Sequence, residues 1–329
     1  MESKIRGMLV NKNGMLDYGA LVEKYPWIIQ RNRDCILSPD SDGLLCGLLM
    51  SHYLGWKIRG FYDGKILLIE NGYKESDCVF LDMEIFRKDV RSIGQHMVMY
   101  DKNQLPKNWG NFENCISANN LRNFDTKHDF RLKYPFGTVH LLLGIIGNKL
   151  KVNISESGIC PLLYTDGVFK NLFNYPENCL GWLNFLGGDV GNSCLHKVFF
   201  NDHYSISELM IALRELFKEI ENIGDGKRGG DKIKISNTKG EPTNLERNGD
   251  LYKINEKEFR KAESFLKFLS QKTGWRYQDR DWTWSEFKIK RFKKGSLKPG
   301  KARYNELLKK NPLSLAVISG LSIEYTLEN

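Results

Sequence analysis

The hexapeptide Ser38-Pro39-Asp40-Ser41-Asp42-Gly43 sets two carboxylates at i and i+2, directly after the apolar run Cys35-Ile36-Leu37. The crevice past the carboxyl end of a buried strand is where α/β folds place ligands. Two carboxylates in close quarters repel each other unless a cation sits between them. Oxygen-rich sites of this kind suit Mg²⁺ or Mn²⁺. The same spacing also suits an Asp-rich turn that merely caps the following helix. The hexapeptide alone does not choose between these two roles.

A second concentration of chemistry lies near the other end. Lys plus Arg outnumber Asp plus Glu, for a net charge of +9. Nearly all of that excess sits between Glu286 and Lys310, where ten basic residues face only Glu286 and Glu306. Clustered positive charge attracts polyanions through counterion release. Trp275, Tyr277, Trp282 and Trp284 run directly into this segment. Aromatic rings beside a cationic track are the means by which single strands are held without sequence preference. Lys288, Lys290, Arg291, Lys293, Lys294, Lys298, Lys301 and Arg303, with Trp282 and Trp284, are therefore the expected nucleic-acid contacts. The opposing reading buries at least two of the aromatics in a core and leaves only the lysines at the surface.

These residues need elements to position them. Strands are expected over 34–38, 57–62, 66–70, 78–83 and 97–100, and buried helices over 44–54 and 138–146. Strands alternating with helices predict an α/β fold with a parallel sheet. A helix over 205–223 opens on the capping box Ser205/Glu208 and keeps Leu209, Leu213, Leu216 and Ile220 on one face. From residue 222 to 250 Gly, Lys, Asn, Asp and Thr dominate, which reads as a linker or mobile excursion. A helix over 256–272, stopped by Gly274, then opens a smaller basic α+β module. The expected organisation is thus a first domain over 1–221, a linker over 222–250 and a second module over 251–329.

Composition excludes several classes. With 41% hydrophobic and 27% charged residues, the chain is too apolar to be disordered. Its longest strongly apolar run, His140 to Gly147, is far short of a bilayer span. The opening residues lack the apolar stretch of a signal peptide, so neither a membrane nor a secreted protein is expected. Seven scattered cysteines without a CxxC pair read as reduced thiols in a cytoplasm. Of the six histidines, His52, His128, His196 and His203 are expected to be structural. His140 is the substitute ligand if the site has been rebuilt.

Four segments in order resemble the DHH phosphoesterase superfamily, which includes RecJ-type exonucleases, nanoRNA and cyclic-dinucleotide phosphodiesterases and inorganic pyrophosphatases. Residues 34–55, DCILSPDSDGLLCGLLMSHYLG, resemble its first motif. Val79-Phe-Leu-Asp-Met83 looks like the second, Ser92-Ile-Gly-Gln-His-Met97 a worn form of the third, and Gly137 to Ile146 the helix that leads to the fourth. The resemblance spans about half the chain. It implies a DHH-like α/β domain binding one or two Mn²⁺ or Mg²⁺ ions, with Asp40, Asp42, Asp82 and His96 as ligands and Asp42 bridging. Such ions would polarise a phosphoryl oxygen and steady the leaving oxygen. Three departures weaken the match. Ile36 stands where the family has its first histidine. Gln95 and Met97 replace the aspartate and second histidine of the third motif, and Gly147 or Asn148 stands at the fourth aspartate. Asp166 is the candidate to supply that last carboxylate from a shifted position.

The leading expectation is a metal-dependent phosphoesterase that cuts nucleic acid, with Asp42 and His96 as its catalytic pair. The alternative is a catalytically silent DHH-like subunit that binds nucleic acid or a protein partner. A third reading takes Asp40 and Asp42 as the nucleophile and acid of a haloacid-dehalogenase-like phosphatase, although that motif has Thr where Leu44 stands.

Overall fold

The computed structural model describes residues 9–226, 229–320 and 322–328, apart from the side chains of Asp129 and Phe130. Five short strands are buried over nearly their whole length, the pattern of parallel strands covered on both faces. They are β1 (Asp34–Leu37), β2 (Lys57–Tyr62), β4 (Val79–Leu81), β5 (Arg91–Gly94) and β6 (Cys115–Ser117). β3 (Ile66–Glu70) turns back antiparallel on β2. Asp63 makes that turn, its Oδ1 accepting from the Lys65 and Ile66 N–H groups at 2.9 and 2.8 Å.

The sheet does not stop at β3. β7 (Leu245–Asn248) and β8 (Leu251–Ile254) form a hairpin, and β9 (Phe287–Leu297) carries most of the basic run. The first half of β9 pairs with β3 and its second half with β11 (Ser322–Glu328), which pairs with β10 (Ser314–Ser319). The order is β10-β11-β9-β3-β2-β1-β4-β5-β6, with β7 and β8 joining at the start of β9. The molecule is therefore α/β with a mixed sheet. Residues 251–329, expected as a module of their own, continue the sheet of the first half. One apolar core runs from Leu9 to Phe287.

Helix α1 (Ser41–Leu54) connects β1 to β2 and is buried on nearly every side, ending at Gly55 with a φ of +68°. Because it is covered all round it shows no amphipathic stripe, and the sequence marks it only by apolarity. α2 (Thr138–Lys149) packs beside it. α3 (Glu156–Tyr164), α4 (Ile206–Ile223) and α5 (Glu256–Thr273) complete this layer, and α6 (Lys301–Lys309) lies between β9 and β10. α4 carries the expected Ser205/Glu208 box, and Asn255 caps α5 by accepting from the Glu258 N–H at 2.8 Å. Among the described residues no helix is long and apolar enough to cross a membrane.

Three expectations change. No strand forms over 97–100, where only Met99 makes a single bridge to Asp125. The Glu84 carboxylate accepts from the Met97 and His96 N–H groups, at 3.0 and 3.3 Å, so a side chain rather than a neighbouring strand satisfies this backbone. The stretch over 222–250 does not hang free. Ile233 and Ile235 are buried, and the Ile233 N–H donates to the Pro39 carbonyl at 2.8 Å. Trp282 is no base-stacking surface: it is 4% exposed, stacked on Trp284 at 6.1 Å, and seated over Gly47 of α1. Trp284, half-buried, stacks in turn on Phe61 at 5.6 Å. β9 brings the aromatic residues onto the core because it pairs with β3, a long-range contact that no local pattern announces.

Trp282→Ala is predicted to cost about 3–5 kcal/mol of stability, the usual loss for a buried Trp, read from urea unfolding. Unchanged stability accompanied by lost nucleic-acid affinity would contradict this placement.

Candidate metal centre

β1 lies between β2 and β4, and the chain leaves it through α1 toward β2 on one side, then returns to β4 on the other. The strand order reverses there, and a crevice opens at the carboxyl ends of β1, β4 and β5. Open α/β sheets place their ligands at such a switch point. The Asp40–Gly43 turn follows β1, Asp82 follows β4, and Gln95 and His96 follow β5.

Each element holds its side chain by an identifiable contact. A Cβ on Gly43 would lie 2.0 Å from the Ser38 carbonyl oxygen, so only glycine lets the first turn of α1 close onto this loop. Asp40 caps α1, its Oδ1 accepting from the Gly43 N–H at 3.2 Å. Asp42 is fully buried and reaches across to α2, where Oδ2 accepts from the Thr138 N–H at 2.6 Å and Oδ1 from the Val139 N–H at 3.1 Å. The carboxylate meets the positive end of that helix. A Cβ on Gly137 would come within 2.8 Å of Asp42 Oδ1, so glycine is again required by close approach.

Asp82 is 2% exposed and adopts a φ of +66°, a left-handed conformation that Asp tolerates better than most residues. Its Oδ1 accepts from Thr138 Oγ1 at 2.7 Å and lies 3.4 Å from His96 Nε2. Its Oδ2 is buried and meets no amide, hydroxyl or basic donor among the described residues, while the Asp42 carboxyl lies within hydrogen-bonding reach of Asp82. Asp166, also left-handed at φ +52°, follows α3 and accepts from Gln95 Nε2 at 2.6 Å. Ser41 Oγ and Thr165 Oγ1, 3.1 Å apart, tie this turn to α1. The His96 backbone is held from both sides: its N–H by Glu84, its carbonyl by the Val317 N–H of β10 at 2.9 Å.

Electrostatics make the cluster unstable as a set of anions. Burial, reinforced by Asp82, pushes the Asp42 carboxyl well above the usual carboxylate range. Burial, with Asp40 and Asp166, does the same to Asp82. Asp166 is open to water on one face and enclosed by protein elsewhere; that enclosure, then Asp42, raises it to about 8. Such carboxyls must hold protons or share a cation. One ligand atom each from Asp82, His96 and Asp166 lie within 4.8 Å of one another, so these three residues can close on one ion. Two carboxylates and an imidazole make a donor set that divalent cations from Mn²⁺ to Zn²⁺ accept, and the buried Asp82 Oδ2 is the kind of atom an ion would satisfy.

The structure thus gathers Asp82, His96 and Asp166 into one group, with Asp40 and Asp42 beside it in cap positions. Ile36 and Met97 are core side chains. Asn148 lies ten residues along α2 from Thr138, about 15 Å away at 1.5 Å per residue, in a different pocket. His140 is no substitute ligand: it is buried against Phe136 and Phe199, and burial lowers it to about 4. The sequence reading missed Glu84, Thr138 and Lys133. Lys133 donates to the Val317 carbonyl at 2.8 Å and lends its charge to Glu84 and Asp166.

Asp82 and His96 open onto a cleft of about 710 Å³, lined elsewhere by Lys232, Lys234, Lys261 and Lys294 and by Asp40, Asp63 and Glu324. Of the expected basic contacts only Lys294 reaches it, and Lys294 also pairs with Glu324 at 2.6 Å. Lys290 is held by Glu75 and Glu328, and Lys301 by Gln104. Lys288, Arg291, Lys293, Lys298 and Arg303 are exposed on β9, just after it and on α6.

No family model, curated protein or solved structure matches the chain, and the chemistry of the site rests on its own geometry. That geometry predicts a definite pH dependence. Asp42, Asp82 and Asp166 titrate higher folded than the roughly 4 of unfolded carboxyls, so the folded state binds extra protons above that pH. Stability of the ion-free chain therefore falls as pH rises from about 5 to about 8. The thermal midpoint in chelator is expected to be lower at pH 8 than at pH 5, and Mn²⁺ to raise it more at pH 8. A midpoint in chelator that climbs over this window would overturn the assignment.

Proposed function

We propose that this chain is a divalent-metal-dependent phosphoesterase that hydrolyses phosphodiester bonds in nucleic acid. The observation that carries the reading is the buried Asp82 carboxylate. One oxygen meets no amide, hydroxyl or basic donor among the described residues, His96 and Asp166 stand within ligand range, and all three lie at the switch point of an α/β sheet. A divalent cation held by Asp82, His96 and Asp166 would polarise a phosphoryl oxygen and stabilise the charge that builds on it.

The chain's own residues do the remaining work. Asp42 and the α2 N-terminus lock Thr138 in place, and Thr138 Oγ1 orients Asp82. Glu84 and Val317 set the backbone of His96, whose imidazole is partly exposed. Lys232 and Lys234 line the cleft as cations for phosphates beside the reacting one, while Lys261 and Lys294 there are paired with Glu258 and Glu324. Membership of the DHH superfamily is part of the proposal, supported by the order of the Asp40/Asp42, Asp82 and His96 segments along the chain. A reducing, cytoplasmic setting is also part of it, supported by seven cysteines that are buried and unpaired.

The test is incubation with Mn²⁺ and end-labelled single- and double-stranded DNA and RNA, for the native chain, Asp82→Asn and Asp166→Asn. The native chain is expected to shorten at least one polymer. Each variant should lose about 100-fold or more of that activity while holding the strand as before. Undiminished hydrolysis by Asp82→Asn contradicts the proposal. A strand bound but left intact by the native chain makes it a binding subunit instead.

A further inference from the structure

The proposed metal centre leaves open how many cations it takes, and the hydrogen bonds around it bear directly on that number. Two-ion phosphoryl-transfer sites hold their ions about 3.5–4 Å apart and need several carboxylates whose oxygens face both. Here three of the four oxygens of Asp40 and Asp42, the carboxylates nearest a second position, already accept backbone hydrogen bonds. Both oxygens of Asp42 accept backbone N–H groups of α2, at 2.6 and 3.1 Å. One oxygen of Asp40 accepts the Gly43 N–H at 3.2 Å. β1, which leads into this side of the crevice, ends in Ile36 and Leu37, both wholly buried and without a donor atom to offer.

On the Asp166 side the nearest group is neutral. Gln95 places its amide nitrogen 2.6 Å from Asp166 Oδ2 and 3.2 Å from His96 Nδ1. An amide N–H there does what a second cation would do, since it offers a positive dipole to a carboxylate that faces other carboxylates. It cannot coordinate through that atom. Lys133 adds a fixed positive charge on the same side, anchored to the Val317 carbonyl.

We propose, resting on the metal-centre reading above, that the site takes a single divalent cation on Asp82, His96 and Asp166, with the Gln95 amide and the α2 N-terminus supplying the positive ends that a second ion would otherwise provide. The centre is thereby a one-ion site whose stoichiometry is set by position 95. Replacing that amide by a carboxylate of the same shape removes the donor to Asp166 and adds a ligand, which opens the second position.

The test is calorimetric titration of the full chain with Mn²⁺, with Asp82→Asn and Gln95→Glu alongside and far-ultraviolet circular dichroism to establish that each is folded. The expected result is one Mn²⁺ per native chain, none for Asp82→Asn and two for Gln95→Glu. Two ions on the native chain overturn the one-ion inference and leave the metal centre standing. One ion on both the native chain and a folded Gln95→Glu overturns the part assigned to position 95. No ion on the native chain overturns the metal-centre reading, and this inference with it.

Discussion

Asp42 and Asp82 bring two carboxyl groups within hydrogen-bonding reach of each other where almost no water enters, with Asp40 and Asp166 close enough to add to the repulsion. Removing carboxylates from water is costly, and crowding them adds to the cost. The surrounding structure answers that strain. α2 starts at Thr138 and turns its free N–H groups to Asp42, Thr138 gives its hydroxyl to Asp82, and Gln95 gives its amide to Asp166. One oxygen meets no amide, hydroxyl or basic donor among the described residues, and it belongs to the residue at the centre of the group.

The same constraint ties distant parts of the chain together. His96 can serve the group only because its backbone leaves the sheet after β5, and Glu84 and Val317 hold it in that departure. Val317 belongs to β10, which reaches this place through β11 and β9 along a single sheet. The cleft draws its lysines from the 229–236 stretch, from α5 and from β9. Asp40, Asp42 and Asp82 come from the first third of the chain, and all four cleft lysines come from residue 232 onward.

How much of this was legible depended on the range of the interaction. The Asp40–Gly43 turn could be read directly, because a local rule puts carboxylates after a buried strand. Of its two readings the structure shows the cap, and it also sets Asp40 on the wall of the cleft. The end of α1 and the limits of α4 and α5 follow from Gly55, the Ser205/Glu208 box and Asn255, which are local signals too, while α1 starts at Ser41, three residues before the expected Leu44. Asp166 could be named only as a shifted substitute, since its partner Gln95 lies 71 residues away. Trp282 reads as a stacking surface in the sequence because only long-range contacts, its own bridge to Ile58 of β2 and the pairing of β9 with β3, put it over Gly47. The 222–250 stretch offers no periodicity, and two buried isoleucines with long-range hydrogen bonds to Pro39, Lys65 and Tyr164 seat it.

The central claim is that this carboxylate cluster is built around a cation. Crystals soaked in Mn²⁺ and measured on both sides of the manganese absorption edge test it most directly. The account predicts an anomalous peak within bonding distance of Asp82, His96 and Asp166. A crystal that shows no such peak there, with the Asp82 carboxylate instead satisfied by a proton or a water, would contradict it.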